Sequence, residues 1–198
     1  MWFKDYLTAR SQVVQSNGHM SDSCSISYGV PQGSILGPLL FILYINDLPL
    51  HLNRSKVILY ADDTALLFAH KNLHDIERVL SDEVSIAQAW LAENKLTLNL
   101  QKTKCMILSS KPKTPKTPFN ITTKDLCGNN TTVEEVTSFK YLGVWFDKNL
   151  SWDCHIDKLC TKISQRLGVL NRCRKFITQD TALLLFNAII LPLFTSIF

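Results

Sequence analysis

Hydrophobic positions along the chain change their period several times, and each change predicts an element. Residues 1–10 read as the end of a helix, and residues 12–14 and 24–27 as short strands around the polar turn Asn17-Gly18. Residues 34–48 are apolar almost all round and long enough for a buried helix, with Pro38 tolerable in its first turns. Residues 57–60 and 64–69 are two apolar, strand-like runs. Between them lies Tyr60-Ala61-Asp62-Asp63, so the pattern predicts a hairpin with acids at its turn.

Asn72 is placed to cap a helix running to about Glu93, because Ile76, Val79, Leu80, Val84, Ala87, Trp90 and Leu91 recur at three and four. Residues 96–98 and 105–108 read as strands. Residues 111–118, with three prolines, read as a linker or exposed loop, and residues 128–130 as a turn. Ser151 is an N-cap candidate for a further helix with the stripe Ile156, Leu159, Ile163, Leu167 and Leu170. Lys158, Lys162 and Arg166 recur at every fourth position beside that stripe, giving adjacent apolar and cationic faces.

Composition narrows the class. With 46% hydrophobic and 19% charged residues over 198 positions, the chain is neither disordered nor fibrous, and it can build one core or one and a fraction domains. A formal charge of +4 does not by itself announce a nucleic-acid partner, but its distribution is uneven. Six lysines and no acid lie between Lys102 and Lys124, and six basic residues face only Asp153 and Asp157 between Ser151 and Lys175. Such asymmetry suits one face toward a polyanion, and ordinary solvated lysines would produce it equally. The six cysteines form no CxxC pair, so reduced thiols are expected, buried and structural rather than zinc-bound at Cys154, Cys160 and Cys173. No targeting signal is visible, and an intracellular setting, nuclear or cytoplasmic, is expected. Residues 181–198 carry no charge, yet Asn187, Pro192 and Ser196 interrupt them; a core helix is expected rather than a membrane span.

Two constellations carry chemistry. Adjacent carboxylates at Asp62 and Asp63 repel one another unless a divalent cation neutralises them; a solvated turn is the plain alternative. The second is Gly29-Val30-Pro31-Gln32-Gly33-Ser34, a loop feeding the apolar helix. There a bare Gly33 allows close approach of a ligand, and Gln32 and Ser34 offer hydrogen bonds. A simple helix-initiating turn would look the same.

Together these strings resemble a known family. GVPQGSILGPLLFILYINDLP from Gly29, followed by YADDTALL from Tyr60, is similar to the B and C motifs of reverse transcriptases of non-LTR retrotransposons, in their jockey/CR1-like LINE form. KDYLTARSQVV, LNLQKTKCMIL and YLGVWFDKNLSWDCHI extend the resemblance over nearly the whole chain. It implies an α+β fold: a partial polymerase palm over residues 1–150, an antiparallel sheet backed by helices, then the start of a helical thumb over residues 151–198. It also implies Asp62 as principal Mg²⁺ (or Mn²⁺) ligand with Asp63 in support, and Lys102 as proton donor to the leaving pyrophosphate. Pro31, Gln32, Gly33, Ser34 and Tyr60 would line the nucleotide and template site. Tyr141, Leu142 and Gly143 would grip the primer, and Lys158, Lys162 and Arg166 would follow the nucleic-acid backbone. The implied partners are an RNA template, a DNA primer and deoxynucleotides, with no protein partner evident.

The resemblance starts after the family's A motif, whose aspartate completes the metal site. The chain therefore reads as a fragment, expected to be inactive alone, with a non-catalytic nucleic-acid-binding remnant as the alternative. The acidic turn is expected to emerge near the loop at Pro31 to Ser34.

Overall fold

The computed structural model describes residues 2–109, 119–124 and 128–195. The linker read at residues 111–118, Cys127 and residues 196–198 lie outside them. The chain divides into two compact units, Met1–Ala69 and His70–Phe198.

The first unit opens with helix α1 (Trp2–Leu7) and strands β1 (Arg10–Gln12), β2 (Gln15–Ser16), β3 (His19–Met20) and β4 (Cys24–Ile26). β2 pairs with β3 inside the longer β1–β4 ladder, and both residues of the Asn17-Gly18 turn have positive φ, as a type I′ turn requires. Helix α2 (Leu36–Ile45) follows, then the short α3 (Leu48–His51). The single helix expected over residues 34–48 is thus broken, and Pro49 is the cause: it lacks an N–H, and its ring clashes with the carbonyl four residues back, that of Ile45. Ile45, Leu48 and Leu52 are buried, whereas Leu39, Ile42 and Leu43 on α2 are exposed. Strands β5 (Lys56–Tyr60) and β6 (Asp63–Leu67) complete the unit as an antiparallel hairpin in register from Lys56↔Leu67 to Tyr60↔Asp63.

The second unit begins with α4 (Leu73–Glu93), capped as expected: the side chain of Asn72 accepts from the His74 N–H at 3.2 Å. Residues 96–98 are not a strand; they have no ladder partner among the described residues and follow Lys95, whose φ of 57° turns the chain out of the helix. Only Lys104–Cys105 (β7) is strand in the next segment. It pairs in parallel with β9 (Asn130–Glu135), which also pairs antiparallel with β8 (Ile121–Lys124). Phe119, Ile121 and Val133 form one buried cluster of this unit, with Leu73, Ile76, Leu80, Val84, Cys105 and Ile107 packed against them. Its alternation is legible in β8, where Ile121 and Thr123 are buried and Thr122 and Lys124 exposed.

Strands β10 (Ser138–Tyr141) and β11 (Val144–Asp147) form a further hairpin, followed by α5 (Asp153–Cys173), a 3₁₀ turn at Arg174–Phe176, α6 (Gln179–Ile189) and α7 (Leu191–Thr195). α5 starts one residue later than a Ser151 cap implies. Trp152, with φ 66°, is its first flanking residue, and Ser151 Oγ accepts only from Asp153 N–H at 3.4 Å. The apolar C-terminal stretch breaks at Ile190, just ahead of Pro192, and no helix among the described residues is long and apolar enough to cross a membrane. The architecture is mixed helix and strand, as expected. The single antiparallel sheet is not present among the described strands, which form five separate sheets, one containing a parallel pair. Tight turns force neighbouring strands antiparallel, whereas β7 and β9, with β8 between them in sequence, are free to pair in parallel.

Candidate active site and nucleic-acid surface

Pairing of Tyr60 with Asp63 leaves Ala61 and Asp62 as a two-residue turn. Ala61 has φ 51°, the left-handed region that costs a residue with a Cβ about 1–2 kcal/mol. That strain is borne by the backbone ladder of five paired residues on each side, which fixes where the acids project. Both carboxylates are exposed, and neither has a hydrogen-bond or ion-pair partner among the described residues. Asp63 faces Tyr60 across the ladder, and Tyr60 is exposed.

The loop at residues 29–34 belongs to the same compact unit. Ser34 N–H donates to Pro31 O at 3.4 Å and Gly33, the third residue of this turn, has φ 77°; this is a type II turn with the glycine it needs. Pro31, Gln32 and Gly33 are exposed and Ser34 half-buried. Ser34 Oγ accepts from Gly37 N–H at 3.0 Å and from the Tyr6 hydroxyl at 2.7 Å, so it caps α2 while anchoring the end of the loop. At the other end the Arg10 guanidinium donates to Gly29 O. Gly37 packs so close that a Cβ there would meet Ser34 Oγ at 3.0 Å and Val30 Cγ2 at 3.4 Å. Tyr6 and Arg10 were visible in the sequence only as part of KDYLTARSQVV. Their contacts reach across 28 and 19 residues, and local periodicity carries no signal for that.

In the second unit Lys102 is exposed in a turn built on Asn99, and its ammonium has no partner among the described residues. Tyr141-Leu142-Gly143 is the corner of the β10–β11 hairpin, where Tyr141 pairs with Val144 and both Leu142 and Gly143 have positive φ. The Tyr141 hydroxyl is buried and has no hydrogen-bond partner among the described residues.

The three α5 cations separate by role. Lys158 lies 5.5 Å from the Trp145 ring centre, and Arg166 donates through Nη1 to Ile189 O at the end of α6. Lys162 is exposed and has no partner among the described residues. On the same helix Cys154 is half-buried, while Cys160 and Cys173 are exposed rather than buried as expected. Among the described residues no group of three or more His, Cys, Asp or Glu stands together as a metal cage. Beneath the start of α5, Asp147 is held below the usual carboxylate range. Desolvation pushes it up, but the N–H groups of Ser151, Asn149 and Trp152 and the Ser151 hydroxyl outweigh that.

The β5–β6 hairpin carries two acids with no partner among the described residues, the same unit holds a glycine-bearing polar loop, and comparison with known proteins gives the class. Residues 1–146 match the reverse transcriptase (RNA-dependent DNA polymerase) family, and the chain belongs to it. Its relatives are polymerases of non-LTR retrotransposons. It is 27% identical over 169 residues to a probable RNA-directed DNA polymerase from transposon X-element of Drosophila melanogaster, covering 83% of this chain and 18% of that one. It is 30% identical over 175 residues to the probable polymerase from transposon BS (84% and 18%) and 28% identical over 163 residues to that from mobile element jockey (79% and 17%), both of the same fly. The chain thus spans less than a fifth of the length of these curated relatives.

Proposed function

We propose that the chain supplies the acidic hairpin and the template-facing loop of an RNA-directed DNA polymerase that extends a primer 3′-hydroxyl with deoxynucleotides. The observation that carries this reading is the Asp62–Asp63 pair, exposed and unpaired among the described residues on a strained two-residue turn, in a chain of this family. Two neighbouring carboxylates fit Mg²⁺ or Mn²⁺, which takes one or two carboxylates and completes its shell with water and substrate phosphates. When bound, such ions neutralise charge on the transferred phosphoryl group and make the attacking hydroxyl a better nucleophile.

The chain's own residues then divide the work. Asp62 is the principal ligand and Asp63 supports it. Pro31, Gln32, Gly33, Ser34 and Tyr60 orient nucleotide and template. Lys102 hands a proton to the departing pyrophosphate, Tyr141-Leu142-Gly143 holds the primer strand, and Lys158 and Lys162 track the duplex backbone, while Arg166, which the resemblance also assigned there, is held to the end of α6. The resembling family's metal site uses one more carboxylate, and none joins Asp62 and Asp63 among the described residues, so with this incomplete shell the isolated chain should hold metal and duplex without extending a primer.

The test is a Mn²⁺ titration of the purified chain followed by NMR line broadening, alongside primer extension on an RNA template. Broadening should centre on residues 61–64 and vanish in Asp62→Asn. Broadening elsewhere, or templated extension lost in Asp62→Ala, would overturn the reading or its incomplete-shell clause respectively.

A further inference from the structure

Beside the loop at residues 29–34 lies a cavity of about 540 Å³, bounded by Arg10, Ser11, Gln12, Ile26, Val30, Pro31 and Gln32. Its one charged wall residue is Arg10. A guanidinium presents five N–H donors and keeps its charge at any ordinary pH. Among the described residues Nη2 is committed to Gly29 O, the Nε–H is buried without a partner, and no carboxylate neutralises the charge. An uncompensated, half-buried guanidinium is unfavourable unless an anion completes it. The bond to Gly29 fixes one end of the guanidinium to the backbone. Ser11, Gln12 and Gln32 add neutral hydrogen-bonding groups around it and no acid, so the cavity repels neither a phosphate nor the sugar beside it.

We infer that this cavity is a backbone-phosphate site for the nucleic-acid strand, with Arg10 as its cation and Gln12 and Gln32 as its polar walls. The inference rests on the proposed nucleic-acid role of the loop and adds a contact outside the resembling motifs' residue assignments. Arg10 reaches the strand through charge, so its contribution is read in salt dependence: each phosphate neutralised adds about 0.7–0.9 to the slope of log affinity against log salt. A residue that merely holds the loop together leaves that slope unchanged.

The experiment measures binding of a fluorescent RNA–DNA template–primer duplex to the full chain between about 50 and 200 mM salt. It compares wild type, Arg10→Lys, Arg10→Gln and Gln32→Ala. Arg10→Gln should lose one contact, so raising the salt weakens it about threefold less than wild type, whereas Arg10→Lys keeps the full slope. Gln32→Ala should lower affinity at every salt concentration with the slope unchanged. Equal slopes for wild type, Arg10→Lys and Arg10→Gln, with binding still measurable, overturn the phosphate site while leaving the loop's role standing. Absence of duplex binding by wild type, or unaltered affinity in Gln32→Ala, overturns the loop reading and this inference with it.

Discussion

Replacing Arg166 and Lys162 one at a time should produce opposite phenotypes, although the two residues sit one turn apart on the same helix. Arg166 donates to the Ile189 carbonyl at the C-terminal end of α6, where the helix dipole also favours a cation. A hydrogen bond from a charged group contributes about 1.5–3 kcal/mol when buried. Arg166 is half-buried, so Arg166→Ala should cost about 1–2 kcal/mol after discounting for solvent. For a chain of this size that is a fall in Tm of roughly 2–8 °C. Lys162 is exposed and has no hydrogen-bond or ion-pair partner among the described residues, and Lys162→Ala should leave stability within about 0.5 kcal/mol. If its charge serves the duplex, the variant should lower the salt slope of binding by about 0.9. Thermal unfolding by circular dichroism and fluorescence anisotropy against salt measure the two effects separately. Arg166→Ala with unchanged Tm and a reduced slope would refute the division of roles, as would a destabilised Lys162→Ala.

Gly37→Ala should disturb the Ser34 cap and loosen the loop, lowering Tm and speeding amide exchange at residues 34–37 while the β5–β6 hairpin stays protected. Asp147 has its pKa depressed by the N–H groups around it, so its stabilisation of the α5 start is present above the ordinary carboxylate pKa and is lost as pH falls through the lowered value. Asp147→Asn should abolish that acid-induced step in an NMR titration of residues 149–153. Burial, then Glu135, raises the Cys105 thiol to about 11, so at pH 8 it should resist iodoacetamide while Cys24, Cys160 and Cys173 alkylate, as read by mass spectrometry of the digested chain.

What the sequence disclosed follows from the range of each interaction. Asn72 ahead of a three-and-four stripe announced α4, and two apolar runs around Tyr60-Ala61-Asp62-Asp63 announced the acidic hairpin; both signals lie within a few residues of what they specify. The break after Ile45 was also local, written in Asn46, Asp47 and Pro49, but the apolar residues on both sides concealed it. Residues 96–98 failed as a strand because apolar alternation cannot say whether a partner edge exists. The Arg10–Gly29 and Tyr6–Ser34 contacts, and the diversion of Arg166 to Ile189, were illegible for the same reason: each depends on segments brought together by the fold.

The nested hairpin between Arg10 and Ile26 gives the molecule a place where length can change freely. The β1–β4 ladder closes its base, and the Asn17-Gly18 tip is exposed, so added residues at the tip meet no packed surface. Closing a longer loop costs only about 0.6 kcal/mol per doubling of length. A spectroscopic label or a small inserted domain could therefore be carried there without altering the register that sets Arg10 against Ile26. The hairpin would serve as a handle through which the neighbouring loop is observed.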